Sequence, residues 1–329
     1  MKIEMNVHQR NLISWAEKHP EALVLSADLG SSCEIREFEK TYPDRYMSFG
    51  IAEQNMVSWA AGLAREGFRP LLHSFGVFLY RRVLDQLEIS VAYPNLPVIF
   101  VGFLPGIMTP GGMTHQATDD IGVLRCIPNL TILDTGDATD IESVLDVAYS
   151  CNGPVFIRML RKEVPRLFPA DEPMVLNHAR VLSEGTDLAV FSSSICTEEA
   201  MRAVRLLKEK GVSVQHLHVS TIRPFTDPQI AEALKKVKYG AITFENHLTI
   251  GGLGSAVSEV IAENGLGTKL LRLGIQDQFP HGASKMYLMK KYGLDAEALI
   301  RGVEKILGAN LGITADMLEE IRYEDYSAV

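Results

Sequence analysis

The feature that most limits the fold is a recurring short apolar run, bounded by turn signals and followed by a helical pattern. Five such runs come first in the chain: Ala22–Ala27, Pro70–Phe75, Val98–Phe103, Leu130–Leu133 and Val155–Met159. Four more follow after a gap: Leu188–Phe191, Val212–His218, Ala241–Phe244 and Lys269–Leu273. Strands that alternate with helices pair in parallel and are covered on both faces. The sequence therefore predicts an α/β protein with two doubly wound sheets.

The gap between the two sets of runs predicts a linker over residues 165–184. It contains Pro165, Pro169 and Pro173 and shows no clear periodicity. We therefore expect a first domain at 1–164 and a second at 185–329.

Composition and charge argue against a nucleic-acid partner, a membrane helix and a secreted protein. The 329 residues carry 41 acidic and 32 basic side chains, a net charge of −9, and no basic cluster that would attract nucleic acid. The charge-free run Ile89–Thr118 is broken by prolines and glycines, which argues against a membrane helix. Residues 1–15 lack the apolar core of a signal peptide, and the four cysteines are isolated in sequence. We expect reduced thiols and a cytoplasmic location.

Glu53 is the first candidate functional residue. It lies in the segment Phe49–Met56, at the start of a predicted helix that is rich in small residues. An acid there is either a simple N-terminal residue favoured by the helix dipole or a functional carboxylate in apolar surroundings.

Phe75 and Phe78 are three residues apart, so one helical turn would present both on the same face. Arg81 and Arg82 follow three and four residues after Phe78. The two rings could stack on a flat heterocycle, or they could simply pack in the core.

Two further candidates lie where later strands end. The glycine-rich loop Pro110–Gln116 contains His115, which is either a general acid/base or a solvated side chain. Asp119 and Asp120 follow and would suit a helix N-cap. Arg158 and Arg161 flank the end of the fifth run, where an arginine could clamp a phosphate or form a surface ion pair. Ligands of open α/β sheets bind at the carboxyl ends of strands.

In this order and spacing, these elements resemble the pyrimidine-binding domain of transketolase. The matching motifs are Ala27-Asp28-Leu29, the sequence GIAEQNM around Glu53, Phe75 with Phe78, and Thr114-His115-Gln116. The later part resembles the transketolase C-terminal domain through Thr221-Ile222-Arg223-Pro224, Glu245-Asn246-His247 and Gly251-Gly252-Leu253-Gly254. The resemblance spans almost the whole chain. It implies a thiamine-diphosphate pyrimidine-binding domain followed by a transketolase-type C-terminal domain.

The resemblance also implies an activity and a set of roles. A transketolase moves a two-carbon ketol unit from a ketose to an aldose with thiamine diphosphate as cofactor. Glu53 would be catalytic, through a hydrogen bond to the pyrimidine N1′, and His115 would assist with protons on the substrate. The remaining implied roles are cofactor binding by Phe75, Phe78, Asp28 and Arg82, and substrate binding by Ser32, Arg161 and His115.

One expected family motif is missing. Family members hold the diphosphate through a divalent metal on a Gly-Asp-Gly motif that ends in Asn, and the nearest match here is Gly136-Asp137-Ala138. The chain therefore resembles the C-terminal subunit of a split transketolase and is expected to hold no metal itself. The resemblance implies a partner N-terminal subunit that binds the diphosphate and Mg²⁺ or Ca²⁺, in an α2β2 heterotetramer.

The residues that grip sugar phosphate in the family are only partly present. Ser32 and Arg161 match, but Met5 and Phe103 replace an arginine and a histidine, and Gly111 replaces an acidic residue that reads an acceptor hydroxyl. We expect the partner to supply replacements, or the substrate to be a sulfonated, branched or differently phosphorylated ketose. Arg36 and Arg82 are candidates to compensate.

Three other functions stay open at this point. The beta subunit of a 2-oxo-acid dehydrogenase has the same two domains and the same glutamate, but the Thr-His-Gln motif argues against it. Deoxyxylulose-phosphate synthase shares that motif and is a single-chain enzyme. A catalytically silent regulatory subunit could keep the fold, although the retained Glu53, Phe75, Phe78 and His115 argue against loss of activity.

Overall fold

A computed structural model of the chain describes residues 2–321. The strands are β1 Lys2–Met5, β2 Ala22–Ser26, β3 Tyr46–Ser48, β4 Arg69–Phe75, β5 Ile99–Phe103, β6 Thr131–Asp134, β7 Val155–Met159, β8 Glu163–Arg166, β9 Arg180–Ser183, β10 Leu188–Ser192, β11 Val214–His218, β12 Thr221–Arg223, β13 Gly240–Leu248 and β14 Leu270–Ile275. All nine predicted apolar runs form strands, with ends that differ by a few residues. The predicted α/β class with two sheets is confirmed.

The α-helices are α1 Val7–Lys18, α2 Arg36–Thr41, α3 Glu53–Arg65, α4 Asp120–Leu124, α5 Ala138–Ser150, α6 Cys196–Glu209, α7 Pro228–Lys236, α8 Leu253–Glu263, α9 Lys285–Tyr292, α10 Ala296–Leu307 and α11 Ala315–Ile321. Short 3₁₀ turns cover Pro43–Arg45 and Gly76–Phe78, and a π-helical segment covers Gln86–Ala92. Within residues 2–321, no helix is both long and apolar enough to cross a membrane. The four cysteines are free thiols, and only Cys126 is exposed.

The first sheet has seven strands in the order β12-β6-β7-β5-β4-β2-β3. All its neighbouring pairs are parallel except β12 with β6, which are antiparallel. Its central strands are buried along their whole length, as expected for apolar runs covered on both faces. The carboxyl ends of β4 and β5 bring Phe75 and Phe103 side by side in the register.

The second sheet has five strands in the order β14-β13-β10-β11-β9. Strands β10, β11, β13 and β14 are parallel, and β9 joins the edge in the antiparallel direction. Strand β13 is longer than its apolar run, because it continues through the buried polar residues Glu245, Asn246 and His247.

Five short strands were not predicted from the sequence, and two of them lie at the ends of the predicted linker. Strand β8 pairs with β1, and β9 pairs with β11, so residues 165–184 begin and end in regular structure. Strand β12 follows β11 in the chain but pairs with β6 of the first sheet. The division at residues 164 and 185 stays a prediction.

Candidate functional site

Glu53 is the first residue of α3, which follows Ala52. It is only 3% exposed. Both carboxylate oxygens lie 3.3 Å from Nη1 of Arg82, which donates to them. The helix N-terminus and this guanidinium both favour a negative charge at a position where burial alone would disfavour it. The expected place of Glu53 in the first turn of a helix is confirmed.

Three aromatic rings lie together where β4 ends. The chain turns sharply through the 3₁₀ segment Gly76–Phe78, which puts the Phe75 and Phe78 centroids 5.8 Å apart. His115 of the glycine-rich loop packs edge-on against both, at 6.1 Å from Phe75 and 5.6 Å from Phe78. Thr114 Oγ1 is 2.9 Å from Nδ1 of the histidine and fixes its ring. The arrangement forms an aromatic wall with a polar edge.

Two arginines pack on the phenylalanine rings of this wall, one on each ring. The Arg82 guanidinium lies 4.1 Å from the Phe78 centroid while it binds Glu53. The Arg161 guanidinium lies 5.6 Å from the Phe75 centroid, and its Nη1 donates to the Ser32 carbonyl oxygen at 2.7 Å. Both are within cation–π range. Direct contacts thus connect seven predicted residues in one line: Glu53, Arg82, Phe78, His115, Phe75, Arg161 and Ser32.

Arg161 has unused capacity to bind an anion. It is half-buried, and its buried Nε has no hydrogen-bond partner within residues 2–321. Burial lowers the pKa of this guanidinium, although the nearby Cys33 and Glu34 act in the opposite direction. Burial also disfavours the charged form of the neighbouring Glu34 and so raises the pKa of its carboxyl group. Oε1 of Glu34 accepts from the Lys162 main-chain N–H. An unpartnered guanidinium N–H beside an aromatic wall is suited to a carboxylate, phosphate or sulfonate oxygen.

Asp28 lies apart from this line of contacts. It follows β2 in a left-handed conformation with φ of 60°, and its side chain is exposed. Ser32 contributes its carbonyl oxygen to Arg161. The structure thus brings Ser32 to the site through its main chain, and it leaves the cofactor-binding role of Asp28 a prediction.

Arg158 requires a correction, because it is neither a phosphate clamp nor a surface ion pair. It is 1% exposed, and its Nε and Nη1 donate to Asp120 at 2.8 Å and to Asp134 at 2.7 Å. Its Nη2 donates to the Asn246 carbonyl oxygen at 3.0 Å. Two buried carboxylates and a carbonyl thus occupy the guanidinium.

The expected helix N-cap by the aspartates after the glycine-rich loop is also wrong. Asp119 precedes α4 but makes no side-chain cap; it accepts from Arg81 at 2.7 Å and from the Tyr80 hydroxyl. Arg81 Nη1 also donates to the Met113 carbonyl oxygen at 3.2 Å. Arg81 therefore ties the loop to the segment that follows Phe78. Only the opposite charges of Arg81 and Asp119 could have suggested this contact from the sequence.

Phe103 lies in the buried core beside a pair of histidines. Its ring is fully buried and lies 5.4 Å, edge-on, from the buried His8, whose Nε2 is 3.0 Å from Nε2 of His73. Burial lowers the pKa of His73 to about 4 and places that of His8 well below its usual value. Phe103 packs against this neutral pair, whereas Met5 on β1 is 48% exposed.

The chain offers groups for one half of thiamine diphosphate. A nearly buried carboxylate beside an aromatic wall fits a flat aminopyrimidine with a ring nitrogen to be bound. Within residues 2–321, by contrast, no cluster of three or more His, Cys, Asp or Glu residues could hold a metal ion. The chain thus has side chains suited to the pyrimidine end of the cofactor, and the placement of the diphosphate and its metal on a partner stays a prediction.

Comparison with known proteins identifies the family. The chain matches the transketolase pyrimidine-binding domain over residues 5–166 and the transketolase C-terminal domain over residues 177–299. A solved structure described as "Split gene transketolase, inactive beta4 tetramer" superposes with a TM-score of 0.85 at 31% identity, covering 92% of this chain and 97% of that one. The chain belongs to the transketolase family of thiamine-diphosphate-dependent enzymes, as the resemblance indicated.

Two similar proteins are covered over most of their length by this chain, and a third is covered over about half of its length. A Methanocaldococcus jannaschii protein named "Putative transketolase C-terminal section" is 37% identical over 295 residues, 89% of this chain and 92% of that protein. The "6-deoxy-6-sulfo-D-fructose transketolase subunit SqwH" of a Clostridium species is 34% identical over 296 residues, 90% and 91% of the two chains. The 1-deoxy-D-xylulose-5-phosphate synthase of Carboxydothermus hydrogenoformans is 32% identical over 92% of this chain but only 48% of its own length.

Proposed function

We propose that this chain is the pyrimidine-binding subunit of a split transketolase, which transfers a two-carbon ketol unit from an anionic ketose to an aldose. The observation that carries the proposal is the buried Glu53 carboxylate at a helix N-terminus, joined through Arg82 to the wall of Phe75, Phe78 and His115. A carboxylate that only stabilised the helix N-terminus would have no use for an aromatic wall and a loop histidine in the same series of contacts.

Each residue has a distinct role in this proposal. Thiamine diphosphate, when bound, supplies the carbon nucleophile for ketol transfer. Glu53 hydrogen-bonds N1′ of the aminopyrimidine and holds it in the tautomer that is active in proton removal. Phe75 and Phe78 pack on the ring and keep water from it. His115, at the edge of this wall, donates to or accepts from the hydroxyl oxygens of the substrate.

Arg82 must release one Glu53 oxygen before the pyrimidine can bind to this carboxylate. In the structure its Nη1 contacts both Glu53 oxygens, one of which must be available for N1′ in the proposed role. Because the Arg82 side chain is 44% exposed, it can move without a large desolvation cost. We propose that it retains at most one oxygen when the pyrimidine binds the other.

The diphosphate and its Mg²⁺ or Ca²⁺ are assigned to an N-terminal subunit, in an α2β2 assembly. The absence of a Gly-Asp-Gly motif ending in Asn from the sequence supports this assignment. The names of two relatives, a C-terminal section and a subunit, support it as well. So does the description of the solved relative as an inactive assembly of beta chains alone.

An anionic ketose with an altered tail is the substrate class that the site favours. Arg161 offers a buried, unpartnered Nε, whereas the exposed Met5 and the buried Phe103 give no charged replacement for the family's phosphate ligands. The SqwH relative is named for a sulfonated sugar, which supports a sulfonate as one form of that tail. A sulfonate carries one negative charge, so it needs fewer cations than a phosphate dianion.

The decisive experiment combines the purified chain with a separately purified diphosphate-binding subunit. Calorimetry on the chain alone should show no micromolar binding of thiamine diphosphate, that is, less than about 8 kcal/mol. The assembled pair should bind the cofactor and turn over 6-deoxy-6-sulfofructose or another anionic ketose better than xylulose 5-phosphate. Tight cofactor binding by the chain alone would contradict the split site, and rapid turnover of xylulose and ribose phosphates would contradict the substrate class.

The same mixture separates the rival functions. A 2-oxo-acid dehydrogenase subunit would acylate a lipoyl domain from a 2-oxo acid, and a deoxyxylulose-phosphate synthase would condense pyruvate with glyceraldehyde 3-phosphate. A silent paralogue would assemble without turning over any of these substrates.

A further inference from the structure

We propose that the second domain holds the loop of residues 105–118 in place and thereby positions His115 against the aromatic wall. This loop is named here the His115 loop. Strand β13 and the segment between β14 and α9 would be the two parts of the second domain that hold it. The inference rests on the proposed function for its catalytic consequence, but its structural content can be tested without any substrate.

The base of the His115 loop is closed on itself and then fixed to β13. The Gly106 N–H donates to the Ala117 carbonyl oxygen at 2.7 Å. Asn246, which is fully buried, donates to the Pro105 carbonyl oxygen at 2.9 Å and accepts from the Ile107 N–H at 3.0 Å. A Cβ atom at Gly106 would lie 2.0 Å from the Asn246 side-chain oxygen, so only glycine allows this approach.

The far end of the loop is fixed to the next residues of the same strand. The Leu248 N–H donates to the Thr118 carbonyl oxygen at 2.8 Å, and the Gly122 N–H donates to the buried His247 ring at 3.3 Å. Glu245 in turn accepts from the main-chain N–H groups of Leu253 and Gly254. The Glu-Asn-His motif of β13 thus binds α8 on one side and the His115 loop on the other.

The tip of the loop rests on the segment between β14 and α9. A Cβ at Gly282 would lie 2.5 Å from the Pro110 carbonyl oxygen, and one at Gly112 would lie 3.2 Å from the Gly282 nitrogen. Fully buried Gln116, next to His115, donates to the carbonyl oxygens of Thr109 and His281 at 3.2 and 3.4 Å. The second domain therefore contacts the loop at its start, its tip and its end.

Tyr292 anchors the segment that supports the tip. Its hydroxyl oxygen accepts from the His281 main-chain N–H at 3.2 Å and lies 2.9 Å from Nδ1 of the same histidine. Tyr292 is the last residue of α9 and is 9% exposed. Asn246, Gly282 and Tyr292 are positioning residues in this proposal, because they act on the site through His115.

The test is Gly282→Ala, with Gly62→Ala as the matched control. The added methyl group must push the loop tip away, whereas a Cβ at Gly62 would meet nothing within 4 Å. In the full-length chain, we expect amide hydrogen exchange over residues 106–117 to become at least about 10-fold faster in Gly282→Ala only, with β4 and β13 unchanged. Unchanged exchange in the loop would overturn the proposal, whether or not ketol transfer is found.

Activity of the assembled pair provides the second readout. Gly282→Ala should lower kcat by about 10- to 100-fold, the range for a catalytic group displaced by about 1 Å, with cofactor affinity nearly unchanged. In a His115→Ala background the same change should have little further effect, because the positioned group is already gone. An additive loss would show a purely structural role and would contradict the proposal.

A milder variant covers the case in which Gly282→Ala fails to fold. Tyr292→Phe removes only the hydroxyl that holds His281, and it should raise exchange over residues 106–117 and 276–284 to a smaller extent. If Tyr292→Phe folds and amide hydrogen exchange in both segments is unchanged, the second domain does not hold the loop in the proposed way.

Discussion

Replacing Glu53 with glutamine tests the centre of the proposed function with the smallest change in shape. Glutamine keeps the length and planarity of the side chain, but it has no negative charge with which to hold N1′ in its active tautomer. If Glu53 is the activating carboxylate, turnover by the assembled pair should fall at least about 100-fold, the lower range for a positioned proton-transfer group. That factor corresponds to about 2.7 kcal/mol in the activation barrier.

The structure limits how much stability the same change can cost. Its main loss is the contact with Arg82, and that side chain is 44% exposed and stays solvated when its partner becomes neutral. Glu53 is buried, but glutamine also removes the desolvation cost of its charge and leaves no buried charge without a partner, so we expect a net loss of no more than about 1 kcal/mol. The melting temperature should therefore fall by no more than about 4 °C. A large loss of turnover with a small loss of stability cannot come from unfolding.

The assay measures turnover, cofactor affinity and thermal unfolding for the reconstituted pair. Glu66→Gln is the matched control, because Glu66 lies just beyond the other end of the same helix and is exposed. We expect Glu66→Gln to match the wild type in all three measurements, and Glu53→Gln to bind the cofactor with little loss. Turnover by Glu53→Gln within threefold of the wild type would refute the role of this carboxylate.

Three further predictions concern arginine contacts and one buried acid. Arg161→Ala should raise KM for an anionic ketose at least about 10-fold, because a charge-assisted contact is lost, and should leave kcat for a short neutral ketose within about threefold. Arg158→Met should lower the free energy of unfolding in urea by about 3–5 kcal/mol, because Asp120 and Asp134 lose their buried partner. Burial raises the pKa of Glu245 to about 7, so the folded state binds more protons than the unfolded state between pH 4.5 and 7. Stability relative to Glu245→Gln should therefore fall as pH rises through that window, by up to about 1.4 kcal/mol per pH unit.

Controls for these variants come from the same chain. Arg161→Lys keeps the charge without the fork of donors and should recover only part of the affinity. Arg301→Ala removes an exposed pair within α10 and should cost no more than about 0.5 kcal/mol. Glu263→Gln, at the exposed end of α8, should leave the pH slope of stability unchanged. An Arg158→Met loss below about 1 kcal/mol, or parallel pH profiles for Glu245→Gln and the wild type, would contradict the stated causes.

Local sequence patterns were sufficient for the main strands and for much of the site. A central strand of a parallel sheet must be apolar on both faces, so Val155–Met159 was predicted with its observed bounds. Glu53 begins its helix, and the three-residue spacing of Phe75 and Phe78 places both rings on one wall. Each of these features depends on residues that are neighbours in the chain.

Features that depend on distant partners were not predictable in the same way. Arg158 was expected at a surface or a phosphate because its partners, Asp120 and Asp134, are 38 and 24 residues away. The short strand β12 carries little apolar signal, and it joins the first sheet only because β6 offers a free edge. The pairing of His8 with His73 spans 65 residues. A single sequence gives the residue types of such contacts but not their juxtaposition.

These distant contacts join the two sheets through buried polar groups. The charge balance of Asp120 and Asp134 depends on Arg158, and the third donor of Arg158 is satisfied by the main chain of Asn246. The Asn246 side chain holds the base of the loop that carries His115. The buried ion network therefore adjoins the candidate catalytic loop at two places, through Asn246 and through Asp120, which lies two residues after the loop. Because buried polar networks are costly when only partly satisfied, a fragment that ended at residue 184 would lack both this support and the edge strand β12.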